Sequence, residues 1–101
     1  MTEKITRETA FKTSYLNGKN ILFTADGSHG IRDIIGDIRE GSVVGVCEKE
    51  RSALVCFLVG HRSLTDPVSF DNFVAVADKA NGKQMTIGRF SGPYVDLKRL
   101  S

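Results

Sequence analysis

The stretch Asp26-Gly27-Ser28-His29-Gly30 holds the densest local set of groups able to meet an anion. Gly27 and Gly30 let the backbone approach a ligand closely, Ser28 brings a hydroxyl, and His29 can donate to a phosphate oxygen. The run follows an apolar, strand-like segment and precedes a helical pattern, and the free amides at a helix start favour negative charge. It is not a nucleotide-loop fingerprint, because Gly-x-x-Gly lacks both the lysine of one such loop and the third glycine of the other. Asp26 opposes an anion unless it points away. The same residues serve equally well as a connection in which Asp26 or Ser28 caps the helix. Arg62 and Arg89 are the basic residues expected to join Gly27, Ser28, His29 and Gly30 around a small phosphate-bearing ligand such as a nucleotide.

Other reactive residues form no coherent set. Cys47 and Cys56 have eight residues between them, and His29 and His61 have 31, whereas zinc ligands usually come in closely spaced pairs. No metal site and no cofactor are therefore expected. A cysteine–histidine nucleophile needs an exposed, electropositive thiol, and both cysteines lie in apolar segments where Cys acts as a small hydrophobe. No Gly-x-Ser-x-Gly elbow is present. Asp33 and Asp37 stand four apart with Arg32 and Arg39 beside them, the pattern of a solvated helix face. Lys79, Lys83, Arg89, Lys98 and Arg99 interleave with Phe90 and Tyr94 as in a single-strand nucleic-acid binder. Asp78 and Asp96 interrupt that stretch, and it carries no recognised nucleic-acid signature. Nothing in the chain assigns catalytic roles.

The elements that must position these residues follow from periodicity. Residues 1–9 are polar and expected to fray, leaving 10–101 as one compact domain. Strands are predicted at about 10–16 and 20–25, joined by an Asn17-Gly18 type I′ turn. A helix over 5–16 competes, since Phe11 and Tyr15 are four apart. Ile31, Ile34, Ile35 and Ile38 stand at i, i+3, i+4 and i+7, so a helix is predicted there, with Gly41 past its end. Ser42–Lys49 and Ala53–Gly60 read as strands apolar on both faces, and hence buried on both faces. If their hairpin turns on Arg51-Ser52, Cys47 faces Cys56; if it turns on Glu50-Arg51, Cys47 faces Leu54. Asp66-Pro67 followed by Phe70, Phe73, Val74 and Ala77 predicts a helix at about 67–80, against a strand Phe73–Asp78 turning on Asn81-Gly82. Strands at 84–90 and 94–98 are predicted to flank a Ser91-Gly92-Pro93 break.

These elements imply an α+β fold: a mostly antiparallel sheet of five or six strands with one or two helices packed on it. The 101 residues supply one core, and the net charge of +2 argues against a dominant polyanion-binding surface. That charge is uneven, being +2 over residues 1–20, −2 over 21–60 and +2 over 61–101. The longest apolar run, Ala53–Val59, is too short to cross a bilayer. The start lacks a signal-peptide core, so a cytoplasmic setting with reduced thiols and no membrane partner is expected. Two strands apolar on both faces predict self-association. The functional expectation is a small non-catalytic module acting stoichiometrically on a protein partner, as an inhibitor, adaptor or regulator. Small chains of this kind are often encoded by phages or mobile elements, a class expectation that no residue carries. The phosphate-ligand receptor is the alternative.

Overall fold

The computed structural model describes residues 5–24 and 38–100. Two single-turn helices, α1 (Arg7–Ala10) and α2 (Thr13–Leu16), precede strand β1 (Asn20–Thr24). Six further strands follow: β2 (Ile38–Cys47), β3 (Ser52–Val59), β4 (Arg62–Ser69), β5 (Phe73–Ala77), β6 (Lys83–Ile87) and β7 (Phe90–Asp96). Among the described residues they form one sheet in the order β4-β3-β2-β1-β5-β7-β6, with every neighbouring pair antiparallel. The architecture is α+β as expected, but the sheet has seven strands rather than five or six, and the helices are minor.

The chain start is helical, not a strand at 10–16. Thr6 caps α1 by accepting from the Thr9 amide. Asn17 (φ −61, ψ 130) and Gly18 (φ 85), with Lys19 N–H donating to Leu16 C=O at 3.0 Å, make a type II turn. Only Gly18 is left-handed there, so the dipeptide turns the chain from α2 into β1 instead of closing a hairpin.

The predicted helix at about 67–80 is absent. Arg62–Ser69 is instead the edge strand β4, and Phe70–Asn72 is a single 3-10 turn leading into β5. Pro67 fits an edge strand, where a missing N–H costs no ladder bond on the open side. β5 matches the alternative strand reading in its place, but it pairs with β1 and β7, not with β6. Ser91, Gly92 and Pro93 lie inside β7 rather than in a break. The hairpins close instead at Gly60-His61 and Gly88-Arg89. Gly60 (φ 62) and Gly88 (φ 60) take the first central position, the one a type II′ turn reserves for glycine.

Of the predicted isoleucine helix, Ile31, Ile34 and Ile35 lie outside the described residues. Ile38 begins β2, opposite Thr24, and Gly41 sits within that strand opposite Ile21 and Phe57. Helix and strand cannot share these positions, and the ladder to β1 takes them.

The core forms where α1 and α2 cover one sheet face. Ala10 and Leu16 pack with Ile21, Phe23, Val43, Val55, Phe57, Val68, Phe73 and Val76. Phe23 and Phe57 meet edge to face at 5.2 Å between centroids, and Phe11 stacks on Phe70 at 4.6 Å. A second cluster forms on the opposite face of the β1-β5-β7 half, where Leu22, Ala75 and Tyr94 pack with Ile38, Val74, Met85, Ile87 and Phe90. The β6–β7 hairpin curls over that face: a Cβ at Gly88 would lie 3.6 Å from Ile38 Cδ1. Among the described residues, no such cover reaches the β2-β3-β4 half.

Candidate functional site

The uncovered face is defined by strand alternation. Ala53, Val55 and Phe57 of β3 are buried beneath the helices, so Leu54, Cys56 and Leu58 point to the other side. On β4, the partners of those residues are Pro67, Thr65 and Ser63. On β2, the register shifts between Val43 and Gly45, and the bulge leaves Val44 unpaired. Val44 is 55% exposed, Leu54 45% and Leu58 65%, the three large apolar side chains that stand out from the described surface. The strands are therefore not buried on both faces, as their composition predicts. One face belongs to the core and the other to solvent.

Three facts define the chemistry of this face. First, on β3 and β4 it carries no charged side chain, because Arg62 and Asp66 alternate to the core side with Val59 and Val55. Second, it continues into a hollow of about 400 Å³ between β2–β3 and the β6–β7 hairpin, lined by Asn20, Glu40, Ser42, Cys56, Leu58, Arg89 and Phe90 among others. Ser42 Oγ donates to Asn20 Oδ1 at 2.7 Å across its floor. Arg89 lies over the Phe90 ring at 5.3 Å, so its cation is held at the hairpin tip. Arg39, Glu40 and Arg89 all border the hollow, so its lining carries two cations and one carboxylate. Third, the Cys56 sulfur lies 3.2 Å from Ser63 Oγ. Hydrogen bonds from Ser63, and then from Thr65, hold its thiol below the ordinary range, against a smaller opposing effect of burial.

Neither predicted cysteine register occurs. The β2–β3 loop runs from Glu48 to Arg51, so Cys47 faces Ser52 and Cys56 faces Ser42. Cys56 lies four positions along the strand from Ser52, a span of about 13 Å. That exceeds the reach of a disulfide. Both thiols are free, with Cys47 exposed and Cys56 half-buried, so neither is the core hydrophobe that the sequence suggested.

The residues proposed from sequence to bind phosphate do not converge among the described residues. Gly27, Ser28, His29 and Gly30 lie outside them. Arg89 borders the hollow, whereas Arg62 stands beyond it on the exposed start of β4. No group of three or more His, Cys, Asp or Glu side chains among the described residues is placed to hold a metal ion. No helix among them is long and apolar enough to cross a membrane.

Sequence reasoning named Arg89 and both cysteines but missed Val44, Leu54 and Leu58 as surface residues. The two-residue Gly60-His61 turn fixes the pairing of β3 with β4 but carries no signal of which face of that pair lies in solvent. No protein-family model, no curated protein and no solved structure matches this chain.

Proposed function

We propose that this protein is a small non-catalytic binding module that occupies a macromolecular partner stoichiometrically through the open face of β2, β3 and β4. The observation that carries this reading is the exposure of Val44, Leu54 and Leu58 on a face whose β3 and β4 positions carry no charge. Uncharged apolar surface held open on a rigid sheet is the kind of patch that protein interfaces use. Over the eight-residue length of β3 and β4, the three strands span about 14 by 26 Å, or roughly 370 Å². A typical stable interface buries about 800 Å² per partner. The face therefore supplies the apolar centre of an interface, and the hairpin bearing Arg89 and Phe90 supplies part of its rim.

Pro67 and the alternation of Arg62 and Asp66 blunt the β4 edge, which favours docking on the face over addition of a strand to the sheet. The partner surface must itself be apolar and weakly charged. A second copy of this chain offers such a surface, and self-association is the form the same reading takes in the absence of another protein. The free, exposed thiol of Cys47 fits a reducing, cytoplasmic setting.

Affinity capture tests this when wild-type protein and a Leu54→Lys/Leu58→Lys double variant are run side by side. Both side chains are largely solvent-exposed, so the variant should fold. The expected result is a protein retained one-to-one by the wild type and lost with the variant, or a wild-type dimer in sedimentation velocity that the variant converts to monomer. Equal capture and equal sedimentation for the two would contradict the proposal.

A further inference from the structure

The side of the molecule covered by α1 and α2 carries a chemically different surface. Two adjoining hollows, of about 590 and 270 Å³, share Arg7, Phe11, Arg51 and Phe70. Lys12 borders the first and Lys98 the second. The cations come from α1, the α1–α2 link, the β2–β3 loop and the C-terminal 3-10 turn Leu97–Arg99. The fold thus gathers on one ledge part of the positive charge that the sequence keeps at its two ends.

The two arginines are short of acidic partners, whereas Lys12 faces Glu48 electrostatically. Among the described residues, Arg7, Lys12 and Arg51 make no ion pair within 4 Å, and Lys98 Nζ donates to the Asp71 backbone carbonyl at 2.9 Å. Of the neighbouring acids, Glu48 is already engaged: its Oε2 accepts from Thr13 N–H at 2.8 Å and from Thr13 Oγ1 at 2.7 Å. The Phe11 ring is half-exposed, stacked on buried Phe70.

Arg51 is the second observation. It is the one non-glycine residue described with positive φ, at 53°. Its carbonyl accepts from Phe70 N–H at 2.9 Å, which pins it, and its guanidinium lies 5.9 Å from the Phe70 centroid. Glycine occupies such a backbone position without strain. An arginine there places a flat, five-donor fork at the mouth of both hollows, and strained positions of this sort gather at binding sites.

We propose that this ledge binds the phosphate group of a small phosphorylated ligand, with Arg51 and Arg7 as bidentate donors, Lys12 and Lys98 as flanking charges, and Phe11 beneath the ligand's flat or apolar part. Guanidinium forks match phosphate oxygens in geometry as well as charge. Glu8 and Asp71 bound the ledge on either side and would repel a polyanion extended along it, so a compact ligand fits better than a nucleic-acid strand. The place differs from the Asp26–Gly30 loop with Arg62 and Arg89, and it lies on the other side of the sheet from the open β2-β3-β4 face.

Titration calorimetry with inorganic pyrophosphate, ATP and oligothymidylates of increasing length provides the test. Saturable binding of pyrophosphate or ATP is expected. Arg51→Gly should weaken it tenfold or more while melting at or above the wild-type temperature, because the change relieves the backbone. Arg7→Ala, at an exposed position, should weaken it as well. Three outcomes would overturn the proposal: no saturable binding of either phosphate compound, binding unaltered in both variants, or oligothymidylate affinity that exceeds that of ATP and grows with length.

Discussion

Asp78 shows how one residue can tie distant parts of this chain together. It is a buried carboxylate, and such groups stay buried only when their oxygens are satisfied. It accepts from Tyr15 Oη at 2.6 Å, from Ala80 N–H at 2.9 Å, and from Asn81 Nδ2 and N–H at 3.0 and 3.1 Å. Burial alone would raise its pKa, but these donors outweigh it and hold the carboxyl down to about 2. Burial, then the hydrogen bond and charge of Asp78, push Tyr15 well above its usual value. The folded carboxyl is thus more acidic than the unfolded one, which titrates near 3.9. The network's contribution is therefore fully present above about pH 4 and is lost as the pH falls toward 2. Tyr15→Phe removes one donor and is expected to cost about 1–2 kcal/mol at neutral pH. It should also flatten the acid limb of the stability curve. Urea denaturation at several pH values reads both effects, and an acid limb as steep as the wild type's would contradict this account of Asp78.

Among the elements, the legible ones were those with an undisturbed pattern. β1 and β3 stand close to where the pattern puts them, whereas β2 begins four residues before Ser42, where a helix was expected, and the stretch 84–90 expected as one strand is divided between β6 and β7. The misread segment at about 67–80 has a physical cause. Phe73 pairs with Phe23 but Ala75 pairs with Leu22, so Val74 is an extra residue in a bulge. The bulge turns Val74 and Ala75 to one face while Phe73 and Val76 face the other, and the strand then imitates a helical period. The same device at Val44 hides which face of β2 is exposed. Of the candidate site, Arg89 was legible as a basic residue, though not as the tip of a hairpin, because 84–90 reads as one strand. Leu54 and Leu58 were not, because their exposure depends on which half of the sheet the short helices and the β6–β7 hairpin reach. Local sequence also fails to show what caps α2. Lys12 at its N-cap has no side-chain acceptor, and Glu48, from the β2–β3 loop, takes that role through Thr13. Its carboxyl is held below the usual range by the Thr13 backbone amide first and the Thr13 hydroxyl second. Glu48→Ala is expected to lower the melting temperature by a few degrees, with Glu48→Gln intermediate. Differential scanning fluorimetry measures this, and a melting temperature unchanged in Glu48→Ala would show that α2 needs no cap from the loop.

At the scale of the whole molecule, the described residues make one seven-stranded sheet with unequal halves. Among the described residues, β1 and β5 contribute to clusters on both faces of the sheet, beneath the helices on one side and the β6–β7 hairpin on the other, whereas the β4-β3-β2 half is covered on one side only. That asymmetry leaves apolar side chains in solvent without leaving the core open, and it separates the proposed docking face, uncharged at its β3 and β4 positions, from the proposed basic ledge across the sheet. The two surfaces should therefore respond independently to substitution. Cys56 reports on the docking face directly, because it sits at the centre of that face, between Leu54 and Leu58, with its thiolate favoured by Ser63 and Thr65. Maleimide labelling of Cys56, followed by peptide mass spectrometry on the free protein and on the complex recovered by affinity capture, measures whether a partner covers it. The account predicts ready labelling in the free protein and strong protection in the complex. Equal labelling in both states would contradict it, as would a Cys56 that is inert in the free protein.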